Sequence, residues 1–199
     1  MVFEVESRED KRSLAYIIQN IVVKSGLNLK NDLDLNFLSE RLKNSQYNKE
    51  RFPGLFTRFN HPKCAIIVFR NGKLILTGLK SFSHIELIIK RLILRLNDIF
   101  SYDIKQNLTE TRIVNIVVTA DFFREIDLDA ASMKLKNTIY EPEVFPGLTY
   151  NSISPTKAVF LIFSTGKIVV TGIREEKAIE PILTNLGQLL KKEKLFKIT

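Results

Sequence analysis

The chain contains two copies of one long sequence unit, and this duplication constrains its fold more than any other feature. Residues 47–80 read YNKERFPGLFTRFNHPKCAIIVFRNGKLILTGLK, and residues 140–174 read YEPEVFPGLTYNSISPTKAVFLIFSTGKIVVTGIR. Both contain Phe-Pro-Gly-Leu, Gly-Lys and Thr-Gly in the same order, and the second copy has one extra residue near Thr156. Corresponding positions lie 93 to 95 residues apart, which is too long for a short solenoid repeat. We therefore expect two units of one fold, residues 12–105 and 106–199.

Both units show the same order of structural signals. A β-branched run predicts a first strand, and a stretch with helical spacing follows it. Three strands come next, the last two joined by the turn pairs Asn71-Gly72 and Thr165-Gly166. A long helix with one apolar stripe closes each unit. The first strand is predicted at 17–23 in the first unit and at 113–118 in the second. The first helix is predicted at about 29–44 and, as a shorter stretch, near 127–137. The second helix is predicted at about 81–100 and 175–192.

The strands carry apolar residues on both faces, although two helices per unit can cover only one. In residues 65–69 and 158–163 the alternation of apolar and polar residues that marks a half-solvated sheet is absent. One interpretation is that the two halves stack as a sandwich. The other is an exposed apolar surface that binds a partner. In either case the sequence predicts a pseudo-twofold α+β fold with about ten strands and four helices.

Composition favours an anionic partner and gives no support to an enzyme. The net charge of +8 and the pI near 9.5 suit nucleic acid, although solvated surface charge is the alternative. Cys64 is the only cysteine, and His61 and His84 are the only histidines, so the sequence supplies neither a disulfide nor a metal site. Gly72-Lys73 lacks the rest of a phosphate-binding loop. We expect no catalysis, cofactor or metal, no membrane span, and a reducing intracellular compartment.

The repeated motif resembles that of a known family. Tyr-x-x-Glu-x-Phe-Pro-Gly-Leu followed by Phe-x-x-Gly-Lys-x-x-x-Thr-Gly, present twice, resembles the core of the TATA-box-binding proteins over about residues 15–192. The chain is similar to the minimal, archaeal-type members. The resemblance implies a saddle in which one curved antiparallel sheet forms the concave face and four helices the convex face. It also implies a general transcription initiation factor that binds A·T-rich TATA-type DNA in the minor groove, bends it and nucleates the preinitiation complex.

The resemblance also implies roles for particular residues. Paired phenylalanines would insert between bases at both ends of the site, and two asparagines would hydrogen-bond bases at its centre, where A·T pairs present only acceptors. Glu141 and Glu143 would contact a B-type initiation factor. The inserting residues are Phe52, Phe69, Phe145 and Phe163; the groove contacts are Asn20, Val22, Ile67, Ile75, Thr77, Asn115, Val117, Pro146, Leu161, Val169 and Thr171; the phosphate contacts are Arg51, Arg58, Lys63, Lys73 and Lys167.

The second copy departs from the family pattern. Asn151 stands opposite Arg58, and Val144 stands opposite Arg51, so the second copy is expected to hold phosphates less firmly. An alternative hypothesis is therefore a divergent paralogue that acts as a protein-interaction module with weak or altered DNA specificity. Further expected partners are the RNA polymerase machinery and, without DNA, a second copy of the chain. The expected compartment is the cytoplasm or nucleoid in an archaeon and the nucleus in a eukaryote.

Overall fold

The chain forms two compact units whose boundaries cross the first strand of each repeat. The computed structural model describes residues 2–3, 14–100, 104 and 108–197. Residues 20–114 make up one unit, here called the first-repeat unit, and residues 1–19 with 115–199 make up the other, the second-repeat unit. The division into repeats at 12–105 and 106–199 remains a prediction about the sequence copies rather than about these units.

The secondary structure follows the duplicated order of the sequence. Strands that carry the repeat are antiparallel to their neighbours within each unit. The elements are, in chain order, β1 (Val2–Phe3), β2 (Leu14–Leu27), α1 (Leu35–Arg41), β3 (Ser45–Gln46), β4 (Gly54–Asn60), β5 (Lys63–Phe69), β6 (Lys73–Leu79), α2 (His84–Phe100), β7 (Leu108–Asp121), α3 (Leu128–Lys134), β8 (Thr138–Ile139), β9 (Leu148–Ser152), β10 (Ala158–Ile162), β11 (Lys167–Ile173) and α4 (Ile179–Lys192).

In the first-repeat unit the strand order is β3-β4-β5-β6-β2. The register places Phe56, Ile67, Ile75 and Lys24 directly beside one another across four strands. The β5–β6 connection is a tight hairpin at the predicted turn, where Gly72 N donates to Phe69 O at 2.9 Å. The unit also contains residues 108–114 of β7, and the hydroxyls of Ser25 and Thr111 lie 2.7 Å apart within it.

The second-repeat unit repeats this arrangement with the order β7-β11-β10-β9-β8. Its matching row is Thr149, Leu161, Val169 and Thr119. Residues 14–19 of β2 belong to this unit, and the Gln19 amide donates to the Thr119 hydroxyl at 2.8 Å. Each unit thus contains the beginning of the other repeat's first strand.

The first helix of each repeat is shorter than its sequence pattern suggests. Helix α1 spans 35–41 rather than 29–44, because Asp34 caps it by accepting from the amides of Asn36 and Phe37. Leu33 N instead donates to Arg70 O at 2.8 Å, which ties the preceding segment to the β5–β6 turn. Helix α3 is capped by Asp127 and also has seven residues, so the expectation that it is the shorter helix was wrong.

The strands separate a buried face from a half-exposed one. In β5 and β6 alternate residues such as Ile66, Val68, Leu74 and Leu76 are completely buried, and helix α2 contributes its own buried stripe to the same core. The residues between them are half-buried or exposed, and we call the surface they form the open face of each unit. The open face carries Asn20, Val22, Lys24, Phe56, Arg58, Lys63, Ala65, Ile67, Phe69, Lys73, Ile75 and Thr77 in the first-repeat unit, and Asn115, Val117, Thr119, Thr149, Asn151, Val159, Leu161, Lys167, Val169 and Thr171 in the second-repeat unit.

Candidate nucleic-acid interface

Each unit brings together a pair of phenylalanine rings at its open face. The ring centroids of Phe52 and Phe69 lie 5.9 Å apart, and those of Phe145 and Phe163 also lie 5.9 Å apart. All four side chains retain contact with solvent, and Phe145 is 37% exposed. The sequence therefore placed these residues correctly in pairs, whereas their insertion into DNA stays a prediction.

The glycine of each Phe-Pro-Gly-Leu motif makes room for its aromatic pair. A Cβ on Gly54 would lie 2.8 Å from the ring of Phe52 and 2.7 Å from Ile67. A Cβ on Gly147 would lie 2.7 Å from the ring of Phe145 and 3.1 Å from that of Phe163. Real Cβ atoms do not approach other heavy atoms this closely, so any larger residue would displace the rings. The motif thus positions two aromatic side chains against a bare stretch of backbone.

Two asparagines are held in the same way in the two units. Gly78 N donates to Asn20 Oδ1 at 2.7 Å, and Gly172 N donates to Asn115 Oδ1 at 2.8 Å. The adjacent Thr77 and Thr171 hydroxyls lie within hydrogen-bonding distance of the same side-chain amides. Because a backbone N–H must meet an acceptor, the carboxamide oxygen faces the glycine, and the NH₂ group is the end that remains for a ligand.

The Thr-Gly motif explains why this arrangement recurs. Gly78 has φ +89° and Gly172 has φ +91°, values that L side chains rarely adopt. The strand register shifts at both places, between Ile21 and Val23 and between Val170 and Ile173. The resulting bulge turns the glycine N–H toward the asparagine instead of a neighbouring strand. The glycine of each Thr-Gly pair therefore orients the asparagine of the same unit through its backbone N–H.

Between the asparagines and the phenylalanines, the open face is apolar. The residues predicted to contact the groove are half-buried here, and Pro146 is exposed beside the second aromatic pair. They are neither core residues nor fully solvated. Those on strands are Val22, Ile67, Ile75 and Thr77 in the first-repeat unit, and Val117, Leu161, Val169 and Thr171 in the second-repeat unit.

The sequence interpretation missed one aromatic residue on this surface. Phe56 is 37% exposed, and its ring centroid lies 5.2 Å from that of Phe52. The first-repeat unit therefore has three clustered phenylalanines on its open face, whereas the second has Thr149 at the matching position. The alternation of Leu55, Phe56 and Thr57 along one strand was the signal that could have located it.

The cationic residues are exposed and unevenly shared between the units. Arg58, Lys63 and Lys73 lie on the open face of the first-repeat unit, and Arg51 precedes its first aromatic residue. Of the five predicted phosphate contacts, only Lys167 lies in the second-repeat unit. Glu141 and Glu143 are exposed in the segment between β8 and β9, where Glu141 O accepts from two backbone amides.

The only thiol is unsuited to catalysis. Cys64 is buried on the core side of β5, and burial raises the pKa of its thiol to about 11. Among the residues that the structure describes, no group of three metal-ligating side chains is present. None of the described helices is long and apolar enough to span a membrane.

Each unit has an antiparallel sheet with a largely apolar open face and a pair of partly exposed phenylalanine rings. These features define a duplicated protein with one candidate binding surface in each unit. The family model described as "Transcription factor TFIID (or TATA-binding protein, TBP)" matches residues 15–99 and 110–193. The chain belongs to the TATA-binding protein family.

Individual relatives agree with this family membership. The chain is 40% identical over 177 residues to the TATA-box-binding protein of Pyrobaculum neutrophilum, covering 89% of this chain and 87% of the relative. It is 42% identical to that of Methanothermococcus thermolithotrophicus, covering 86% and 94%. A solved structure, Methanococcus jannaschii TBP, matches with a TM-score of 0.81 at 38% identity, covering 89% of this chain and 98% of that one.

These comparisons confirm several expectations from the sequence. The resemblance to archaeal-type TATA-box-binding proteins is confirmed, as is the fold class of two repeats with ten antiparallel strands and four helices. The two-residue β1, which pairs with β2, is a further strand outside the repeated set. The family consists of DNA-binding factors that catalyse no reaction, which confirms that the chain is not an enzyme.

Proposed function

We propose that the protein is a general transcription initiation factor that binds A·T-rich TATA-type promoter DNA through the minor groove. One repeated observation carries the proposal. In each unit, an asparagine fixed by a backbone amide and two partly exposed phenylalanine rings lie at the same open face. Family membership supports the same conclusion. The protein bends the duplex and thereby creates the platform on which the preinitiation complex assembles.

The aromatic pairs act as wedges. Apolar side chains that enter the minor groove unstack a base step at a cost of a few kcal/mol and kink the duplex toward the major groove. Phe52 and Phe69 supply one wedge, and Phe145 and Phe163 supply the other. The apolar strand residues between them, such as Ile67 and Leu161, contact the sugar and base edges of the widened groove. Flexible TA steps lower the cost of this deformation.

The asparagines select A·T pairs. In the minor groove both A·T and T·A present only the acceptors A N3 and T O2, whereas G·C adds the guanine amino donor. The carboxamide oxygens of Asn20 and Asn115 are engaged by backbone amides, so the group offered to DNA is the NH₂ donor. A donor faces an acceptor at every A·T pair and meets another donor at guanine. Val22, Val117, Thr77 and Thr171 surround these groups.

Cations along the open face contact phosphates. Arg51, Arg58, Lys63, Lys73 and Lys167 are exposed and contribute the salt-dependent part of the affinity. These contacts set the register of the protein on the duplex without reading its sequence. The net charge of +8 adds a longer-range attraction.

Protein partners bind surfaces away from the DNA. The exposed carboxylates of Glu141 and Glu143 form the contact for a B-type initiation factor, which in turn brings the RNA polymerase machinery. Without DNA, a second copy of the chain covers the apolar open face and reduces its exposure to water. The protein acts where the cell keeps its DNA, in an intracellular compartment.

The decisive experiment compares two duplexes. Fluorescence anisotropy measures binding to a duplex that carries TATAAA and to the same duplex with that element made G·C-rich, each over a series of salt concentrations. Dyes on the duplex ends report bending by energy transfer. We expect the TATAAA duplex to bind more tightly and to bend, and Phe52→Ala and Phe163→Ala to lose the bend.

The other outcomes have defined meanings. Equal and steeply salt-dependent binding to both duplexes would reduce the protein to a basic surface without sequence preference. Absence of binding to either would favour the paralogue that acts through proteins alone.

A further inference from the structure

A pocket in the first-repeat unit gathers three cationic side chains, of which only one was expected to contact DNA. Lys24 on β2, Lys73 at the start of β6 and Arg112 on β7 line this pocket. Its volume is about 360 Å³, which leaves room for a phosphate group and several waters. The remaining lining comes from Ser25, Gly26, Leu27, Asn71 and Gly72.

The strand pairing brings these cations to one pocket. The β2–β6 register sets Gly26 directly opposite Lys73, so the cross-strand neighbour of Lys73 on that face has no side chain to fill the pocket. The hydroxyls of Ser25 and Thr111, 2.7 Å apart, link the strand of Lys24 to the residue before Arg112. Within the part of the chain that the structure describes, none of the three cations forms an ion pair with a carboxylate.

The second-repeat unit does not carry the same three cations at the corresponding positions. By the repeat offset, Thr119 replaces Lys24, Ile17 replaces Arg112, and Lys167 alone is kept. Asp121 stands where the first-repeat unit has Gly26, and it lies directly opposite Lys167 in the strand register. Opposite charges at such cross-strand positions attract each other, so Asp121 offsets the charge of Lys167. The pocket positions thus carry three net positive charges in the first-repeat unit, and their counterparts with Asp121 carry none in the second-repeat unit.

We propose that the pocket of Lys24, Lys73 and Arg112 binds a backbone phosphate in the half of the DNA site that the first-repeat unit contacts, and that no matching contact forms in the other half. The inference rests on the proposed DNA-binding function and adds an asymmetric phosphate contact to it. A guanidinium group can take two phosphate oxygens at once, and the two ammonium groups complete the charge neutralisation. Arg51 and Arg58, which lack basic counterparts, add to the same imbalance.

The test exchanges pocket residues for those of the other unit. The variant Lys24→Thr/Arg112→Ile is compared with Lys191→Thr/Lys192→Ile, which removes the same charge from the last turn of α4. Binding to the TATAAA duplex is measured over a salt series. Each phosphate contact contributes about 0.9 to the slope of log K against log [salt], so the pocket variant should lose about 1 and the α4 variant almost none.

A second measurement, with single DNA phosphates made neutral, identifies which phosphate the pocket contacts. Duplexes that carry one methylphosphonate at successive backbone positions are bound by the wild type and by the pocket variant. We expect methylphosphonate at one position, in one half of the site, to weaken binding by the wild type severalfold and to leave binding by the pocket variant unaffected. Circular dichroism melting verifies folding, and Lys24→Gln/Arg112→Gln serves as a polar second variant if the first does not fold.

The two proposals fail in different ways. A wild type that does not prefer TATAAA overturns the proposed function. A wild type that prefers TATAAA, with an unchanged salt slope in both pocket variants or equal methylphosphonate effects at corresponding positions in the two halves of the site, overturns the pocket alone.

Discussion

Oδ1 of Asn115 accepts a hydrogen bond from Gly172 N at 2.8 Å, and the same bond joins Asn20 to Gly78 at 2.7 Å in the other unit. This contact decides which end of each carboxamide is presented to a ligand. It requires a glycine at φ near +90°, a shift in strand register and an asparagine on the adjacent strand.

Asn115→Asp separates the two roles of this side chain, in which Oδ1 accepts from Gly172 N and the NH₂ group faces the ligand. The variant keeps the oxygen that Gly172 needs but replaces the NH₂ donor with an anionic oxygen. We expect the melting temperature to change little and the affinity for the TATAAA duplex to fall roughly 10- to 100-fold, the usual worth of a specific base contact. Asn185→Asp on α4 makes the same charge change away from the open face. Equal affinities for the two variants would contradict the assigned role.

Phe163→Ala and Phe160→Ala should affect different properties, although both residues lie on or beside β10. Phe160 is 1% exposed and stacks on Tyr150, with 5.7 Å between ring centroids. Its loss should lower the free energy of unfolding by about 3–5 kcal/mol, measured by urea denaturation. Phe163 lies on the open face, so its loss should abolish DNA bending and change stability far less. A Phe163→Ala variant that bends DNA normally would remove that residue from the wedge.

Gly147→Ala should disturb the second aromatic pair while leaving both phenylalanines in the sequence. The added methyl would come within 2.7 Å of the Phe145 ring, and overpacking of this kind costs about 1–3 kcal/mol. Because exposed rings can move away, we expect most of the effect in DNA bending and little in the melting temperature. Energy transfer between duplex end dyes measures it. Gly187→Ala on α4, where a Cβ would meet Phe122 at 3.1 Å, is the control and should bend DNA as the wild type does.

Phe56→Thr tests whether the third phenylalanine of the first-repeat unit contributes to binding. The change supplies the residue that the second-repeat unit carries at position 149 and removes the ring that contacts Phe52. We expect weaker binding to the TATAAA duplex by severalfold, consistent with the 0.5–1.5 kcal/mol typical of an aromatic pair. The reciprocal Thr149→Phe should not weaken binding. An unchanged dissociation constant for Phe56→Thr would show that the ring only covers Phe52.

The thiol of Cys64 should react slowly in the native protein. Burial raises its pKa to about 11, so at pH 8 only about one thiol in a thousand is ionised. We expect the rate of reaction with a disulfide reagent to rise about tenfold per pH unit and to increase greatly in urea. Because the pKa of the Cys64 thiol is higher in the folded than in the unfolded protein, burial of the neutral thiol stabilises the native state fully below the unfolded-state pKa. This stabilisation is lost as pH rises toward 11. Labelling at the rate of a free thiol at pH 8 would disprove this burial effect.

Local patterns were sufficient for much of the fold and of the candidate site. Repeated motifs, hairpin turn pairs and apolar stripes located the strands and the two long helices, whereas the four phenylalanines were singled out only by the resemblance to the family. The start of α1 could not be predicted, because Leu33 is held by Arg70, a contact that only the folded unit creates. For the same reason the sequence did not bring Arg112 to Lys24, since they are far apart along the chain and lie in the same unit only after folding.

The sharing of first strands between the units bears on how such a protein could have arisen. Residues 108–114 complete the unit built mainly from the first copy, and residues 14–19 complete the other. In a half-length chain carrying a single copy, the beginning of the first strand would have completed the unit of a second such chain, and the same segment of that second chain would have completed its own unit. Two such chains make a reciprocal exchange, and fusing their genes would convert a concentration-dependent pair into one chain whose halves were then free to diverge. That freedom has produced the differences between corresponding positions here, with Lys24 in one copy and Thr119 in the other, and Arg112 in one and Ile17 in the other.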